Sequence, residues 1–289
     1  MSNEFFRNLG FEVSGAKNDK SAVAVLDFYP KTERLILSEI EFKLSGIEEM
    51  SSDDFLLQTL QSYCPEGVRL NGCGVHGPLD LPPQFLESLA DNDPAHPKSQ
   101  LRQDQIAWMI EQWRRLKPSP RPFSTYHERP CEIFLRYLTK EKFLCAEALG
   151  ANLAPITARL QVLKSRLPHP LHEVNPRATL ARLISSLGVN KNLYRDFSDL
   201  EKGVSVREKI FAEINKKAPQ LFIYEKDLEL MILNLNCFYA FLCAFQEHLI
   251  ARDLAEVPPK NFPKGAGWIY LPKISLSWEQ VFSNDFKLK

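Results

Sequence analysis

Three β-rich runs open the chain. NLGFEVSG (8–15), SAVAVLDFYP (21–30) and ERLILSEIEFKL (33–44) are separated by the polar turns AKNDK and PKTE, the pattern of a strand meander. SSDDFLLQTLQSYC then predicts a short helix, with Phe55, Leu56 and Leu60 at helical spacing and Ser51 or Ser52 able to cap it. RLNGCGVHGPLDLPP gives a short buried strand that stops at Pro78 and Pro82, and a loop rich in Asp, Asn and Pro runs from Asp91 to Pro97. Residues 101–166 read as helical in LRQDQIAWMIEQWRRLK, CEIFLRYLTKEKFLCAEAL and ITARLQVLKSRL, with the Pro-rich break KPSPRPF between the first two. PLHEVNPRATLARLISSL predicts a strand running into a helix, with Pro176 near the first helical position. Residues 225–252 hold a long apolar helix suited to packing across a sheet, and GWIYLP is a late strand after the stretch EVPPKNFPKG.

This order gives a mixed α/β class: three strands, helix, strand, a helical insertion at about 83–167, strand, helices and a closing strand. Composition agrees with an ordinary globular chain. The 289 residues are 44% hydrophobic, 25% charged and 11% aromatic, enough to bury a core without disulfide or metal staples. No window approaches the roughly 18 consecutive apolar residues of a membrane span. MSNEFFRNLGFEV lacks the features of a signal peptide, so a cytoplasmic location and no membrane partner are expected. None of Cys64, Cys73, Cys131, Cys145, Cys237 and Cys243 forms a C-x-x-C pair or stands at zinc-finger spacing with a histidine, which predicts reduced, mostly buried thiols.

Lys plus Arg and Asp plus Glu both number 36, for a formal charge of zero, but the charges are unevenly placed. Residues 1–100 carry 8 basic and 16 acidic side chains, whereas residues 101–217 carry 21 and 12. An electrostatic footprint for phosphates has this form, and so do helices with solvated Lys and Arg faces. No G-x-G-x-x-G, G-x-x-x-x-G-K-[ST] or G-x-S-x-G occurs, which weighs against dinucleotide, P-loop and α/β-hydrolase chemistry. His169, His172 and Glu173 form H-x-x-H-E, which is not a zincin motif, and Pro170 opposes a shared helical face.

Four segments in order, GFEVSGAKNDKSAVAVLD, VHGPLDLP, ERPCEIFLR and LHEVNPRATL, resemble the predicted-nuclease family called domain of unknown function 429. YAFLCAF and GWIYLP are similar to the ends of its later helix and closing strand, so the likeness runs from Gly10 to Pro272. The resemblance implies an RNase H-like fold: an antiparallel three-strand start, then parallel strands interleaved with helices. It further implies metal-dependent phosphodiester hydrolysis, with carboxylates holding Mg²⁺ or Mn²⁺ and nucleic acid as partner. Carried over residue by residue, the site comprises Glu12, His76, Glu173 and Asn236, with Glu12 and Glu173 as metal ligands and Arg129, Arg136 and Arg177 meeting phosphates. The sequence departs from the family pattern where Glu12 replaces an aspartate, His76 replaces another, and Asn236 and Tyr239 stand at positions commonly aspartate. A catalytically inactive member that binds nucleic acid or a protein is the alternative.

Overall fold

A computed structural model of the chain describes residues 5–15, 20–44, 50–91, 98–116, 124–141, 143, 145, 147–150, 153–190 and 195–284. Most of the AKNDK turn, most of the loop after Asp91 and the KPSPRPF break lie outside these residues. The chain divides into two compact units, one formed by Met1–His76, Arg166–Glu256 and Tyr270–Lys289, the other by Gly77–Ser165 and Val257–Ile269.

The first unit is built on a mixed sheet. β1 (Phe6–Glu12), β2 (Ala22–Tyr29) and β3 (Arg34–Phe42) form an antiparallel meander, and β4 (Arg69–His76) and β5 (Leu171–Val174) extend it in parallel on the other side of β1. Two-residue strands β6 (Leu221–Phe222) and β7 (Ile269–Tyr270) complete the order β6-β3-β2-β1-β4-β5-β7. β2 is buried along nearly its whole length, as its run of alanine, valine and leucine requires. Its one charge, Asp27, is neutralised by both Nε and Nη2 of Arg7, at 2.8 and 2.7 Å, and accepts from Ser38 Oγ at 2.7 Å.

Helices α1 (Ser52–Ser62), α6 (Pro176–Leu187), α7 (Gly203–Lys217), α8 (Glu225–Leu233), α9 (Leu235–Ala251) and α10 (Trp278–Phe282) belong to this unit. Ser51 caps α1 by accepting the Asp54 N–H, and Asn175 caps α6 by accepting that of Ala178, with Pro176 at the first helical position. Residues 225–252 are not one helix. The chain breaks at Asn234, whose extended backbone turns α9 by 115° from α8 and whose side chain accepts the N–H groups of Asn236 and Cys237. The break lets α9 lie flat on the sheet, where a methyl at Gly10 would run into the backbone of Ala240 and Ala244, and one at Gly74 into the carbonyl of Cys243. Phe238, Phe241 and Phe245 of α9 pack with Leu26, Phe28, Leu180 and Phe211 in the core.

The second unit contains the other helices: α2 (Pro83–Ala90), α3 (Gln100–Arg115), α4 (Pro130–Ile133) and α5 (Ala154–Arg166, whose last residue belongs to the first unit). The expected helix over 131–149 ends early. α4 passes into a wider five-residue turn, Phe134–Leu138, and Thr139 is extended. Side chains of α4 and of the wide turn hold the returning chain, since Glu132 accepts the Ala148 N–H and Arg136 donates to the Cys145 carbonyl. Phe134, Trp108, Phe262 and Trp268 form an aromatic cluster here. Among the described residues no single helix is long and apolar enough to cross a membrane, and all six cysteines are free thiols.

Candidate functional site

β1 and β4 run parallel and end together, so Glu12 and His76 are register partners. In a strand, side chains alternate between the two faces, and residues level with one another share a face. Glu12 and His76 therefore point the same way, and His76 Nδ1 meets Glu12 Oε2 at 2.6 Å. The pair is partly open to solvent, 28% for the His76 side chain and 13% for that of Glu12. The edge of the His76 ring meets Tyr239 of α9, with centroids 5.2 Å apart. A carboxylate at Nδ1 fixes the ring's orientation and leaves Nε2 as its second polar atom.

Asn236, in the first turn of α9, donates from Nδ2 to the Lys20 carbonyl at 2.7 Å. Ser14 Oγ accepts the Lys20 N–H at 2.7 Å, so Asn236 and Ser14 together hold the end of the turn between β1 and β2. Glu173 stands elsewhere. It is level with Val75, one residue out of phase with His76, which puts it on the opposite face of the sheet from Glu12, and it is 6% exposed. The structure thus brings Glu12, His76 and Tyr239 together, gives Asn236 a loop-holding contact, and separates Glu173 from the pair.

This donor set does not fit the expected ion cage. Mg²⁺ takes near-octahedral oxygen ligands, usually with more than one carboxylate for a two-ion site. Glu12 is engaged with an imidazole, Glu173 faces the other way, and among the described residues no three His, Cys, Asp or Glu side chains are grouped to hold an ion.

The three arginines have different surroundings. Arg129 is buried, with Nε on Glu132 Oε1 at 2.9 Å. Arg136 donates to Glu128 Oε1 at 2.8 Å. Arg177 is exposed in the first turn of α6, its guanidinium 5.6 Å from the centroid of the Phe197 ring.

A second histidine–carboxylate pair escaped the sequence. His172 Nδ1 meets Glu247 Oε2 at 2.8 Å, on the face of the sheet that α9 covers, and the His172 ring meets Tyr270 edge-on. Burial pulls the His172 pKa down, but the hydrogen bond and charge of Glu247 outweigh it and the net shift is upward. Since 75 residues separate the two, no local pattern announces the pair.

Comparison with family models, curated proteins and solved structures found no match to this chain.

Proposed function

We propose that the chain is an RNase H-like protein acting on nucleic acid, with the Glu12–His76 pair as its working centre. The observation that carries this is the 2.6 Å contact at the C-terminal ends of two adjacent parallel strands, the end of an open α/β sheet where ligands bind. The family resemblance supports it, as does a strand order in which the meander β3-β2-β1 is continued by parallel β4 and β5. Five free, mostly buried thiols and a sixth half-buried one suit a cytoplasmic protein.

In this reading His76 donates from Nδ1 to Glu12, which leaves Nε2 to take a proton from an attacking water as its oxygen bonds to phosphorus. The resulting imidazolium, stabilised by the Glu12 carboxylate, returns the proton to the leaving oxygen as the ester P–O bond breaks. Arg177 is the exposed cation offered to a phosphate. The second reading, an inactive member that binds nucleic acid or a protein, draws on His76, Asn236 and Tyr239 standing where the resembled family has aspartates.

The test is cleavage of labelled single- and double-stranded DNA and RNA in chelator, Mg²⁺ and Mn²⁺, with binding measured across a salt series. Cleavage abolished by both Glu12→Gln and His76→Asn, with salt-sensitive binding kept, is the expected result. Cleavage unchanged in both variants removes the pair from the reaction, and binding without cleavage under any condition establishes the second reading. His76→Asp adds an anionic oxygen beside Glu12 and should raise Mg²⁺ affinity in a calorimetric titration. An unchanged titration excludes a metal role for this position.

A further inference from the structure

The second unit holds a cleft of about 300 Å³, formed by the loops before α2 and α3, α4, α5 and the segment Gly265–Gly267. Its polar lining is fixed in place by hydrogen bonds behind it. Gln105 Nε2 donates to the Lys264 carbonyl at 3.1 Å and Gln161 Nε2 to that of Leu79 at 2.9 Å, so each amide leaves its oxygen as an acceptor. Arg102 and Arg129 line the cleft, each with Nε donating to a carboxylate, of Glu87 and of Glu132. Asp80 lies against the backbone of Gly267, where any side chain would displace its carboxylate, and its other oxygen meets Lys164 Nζ at 3.1 Å. Pro83 and Pro130 supply flat apolar wall, and Leu101, half exposed, stands at the rim.

These features select a ligand class. Both arginines are already paired with carboxylates, and Asp80 with a lysine, so no net charge is offered to a small anion or cation. Donors and acceptors around flat apolar walls suit a planar, neutral heterocycle that carries both along its edge. The volume lies at the lower end of the roughly 300–1,000 Å³ of ligand pockets, enough for one ring with a sugar. We infer that this cleft binds a single nucleobase, hydrogen-bonded at its edge and held between apolar side chains, as bases taken out of a strand are read. The base comes either from a free nucleoside or from a single strand. The lining includes neither Glu12 nor His76, and the inference does not depend on their chemistry.

The experiment is calorimetric titration of the full chain with adenosine, guanosine, cytidine and uridine, repeated in two variants. Ala266→Leu fills the cleft from the exposed loop without touching an ion pair, and Gln161→Leu removes one acceptor. The expected result is saturable binding of at least one nucleoside, weakened about tenfold or more by either variant, with the thermal midpoint of Ala266→Leu unchanged. Displacement by a short single-stranded oligonucleotide assigns the base to a strand, and no displacement assigns it to a free nucleoside. Glu12→Gln should leave this binding intact, so loss of cleavage and loss of nucleoside binding are read separately. Absence of binding by all four nucleosides at millimolar concentration, or binding by both variants equal to the parent's, overturns the inference.

Discussion

His248 should make the protein sensitive to mild acid in a way one substitution removes. The ring lies in the last turn of α9, 1% exposed, against Phe28 and Phe245. Its Nε2 donates to the Val281 carbonyl at 2.9 Å, while buried Nδ1 has no hydrogen-bond partner among the described residues. Protonation would place a charged, unpartnered N–H in that interior, and burial accordingly pushes the pKa down to about 3. The unfolded chain has the ordinary value of 6.5, so between the two it binds a proton the native state refuses. The contribution is therefore fully present above 6.5 and lost as pH falls toward the folded value, at about 1.4 kcal/mol per pH unit. By about pH 4.5 the loss reaches about 3 kcal/mol. His248→Gln keeps a donor near Val281 and has no proton to gain. Urea unfolding of both proteins from pH 7 down to about 4.5 isolates the effect, since every other titrating group is shared. The difference in unfolding free energy between parent and variant should be flat above 6.5 and fall by the stated slope below it. Parallel curves over the whole range would refute the assignment of His248 as buried and neutral.

Three further outcomes follow from packing and charge. Gly10→Ala should destabilise by about 1–3 kcal/mol, the usual cost of overpacking, because the added methyl meets α9 backbone rather than a movable side chain; a urea midpoint equal to the parent's contradicts the close approach. Arg129→Leu removes a buried cation that Glu132, 0% exposed, is paired with and should cost about 3–5 kcal/mol. A salt-sensitive loss of nucleic-acid binding with unchanged stability would instead make Arg129 a phosphate contact. For His172, raised by Glu247, the sign runs opposite to His248: stabilisation is present below 6.5 and lost as pH rises through the folded value. Glu247→Gln leaves burial acting alone, and NMR titration of the ring should then give a midpoint below the parent's; an equal or higher midpoint removes Glu247 as the cause.

Local features were legible in the chain itself. Polar turns between β-rich runs mark the meander, and Ser51 and Pro176 mark helix starts, because strand alternation and helix-start signals depend on neighbours a few positions apart. The adjacency of Glu12 and His76 was within reach for a related reason, as each ends a strand whose neighbour could be anticipated. The sequence also holds Asn234, but inside an apolar run it reads as one polar residue in a long helix. Its use as a break is decided by α9 having to lie on Gly10 and Gly74, residues more than 150 positions away.

The same limit governs the site. Glu173 belongs to the motif-bearing segment expected beside the centre, yet register decides which face it takes, and a shift of one residue reverses that face. Register arises from pairing β5 with β4 across nearly a hundred intervening residues, so no spacing within HEVNP contains it. His172 with Glu247, and the cleft assembled around Gly265–Gly267, arise likewise from segments that meet only in three dimensions. Chain-local chemistry set the elements and their ends; burial on a shared sheet face, and the glycines that let a helix approach it, selected which side chains came together.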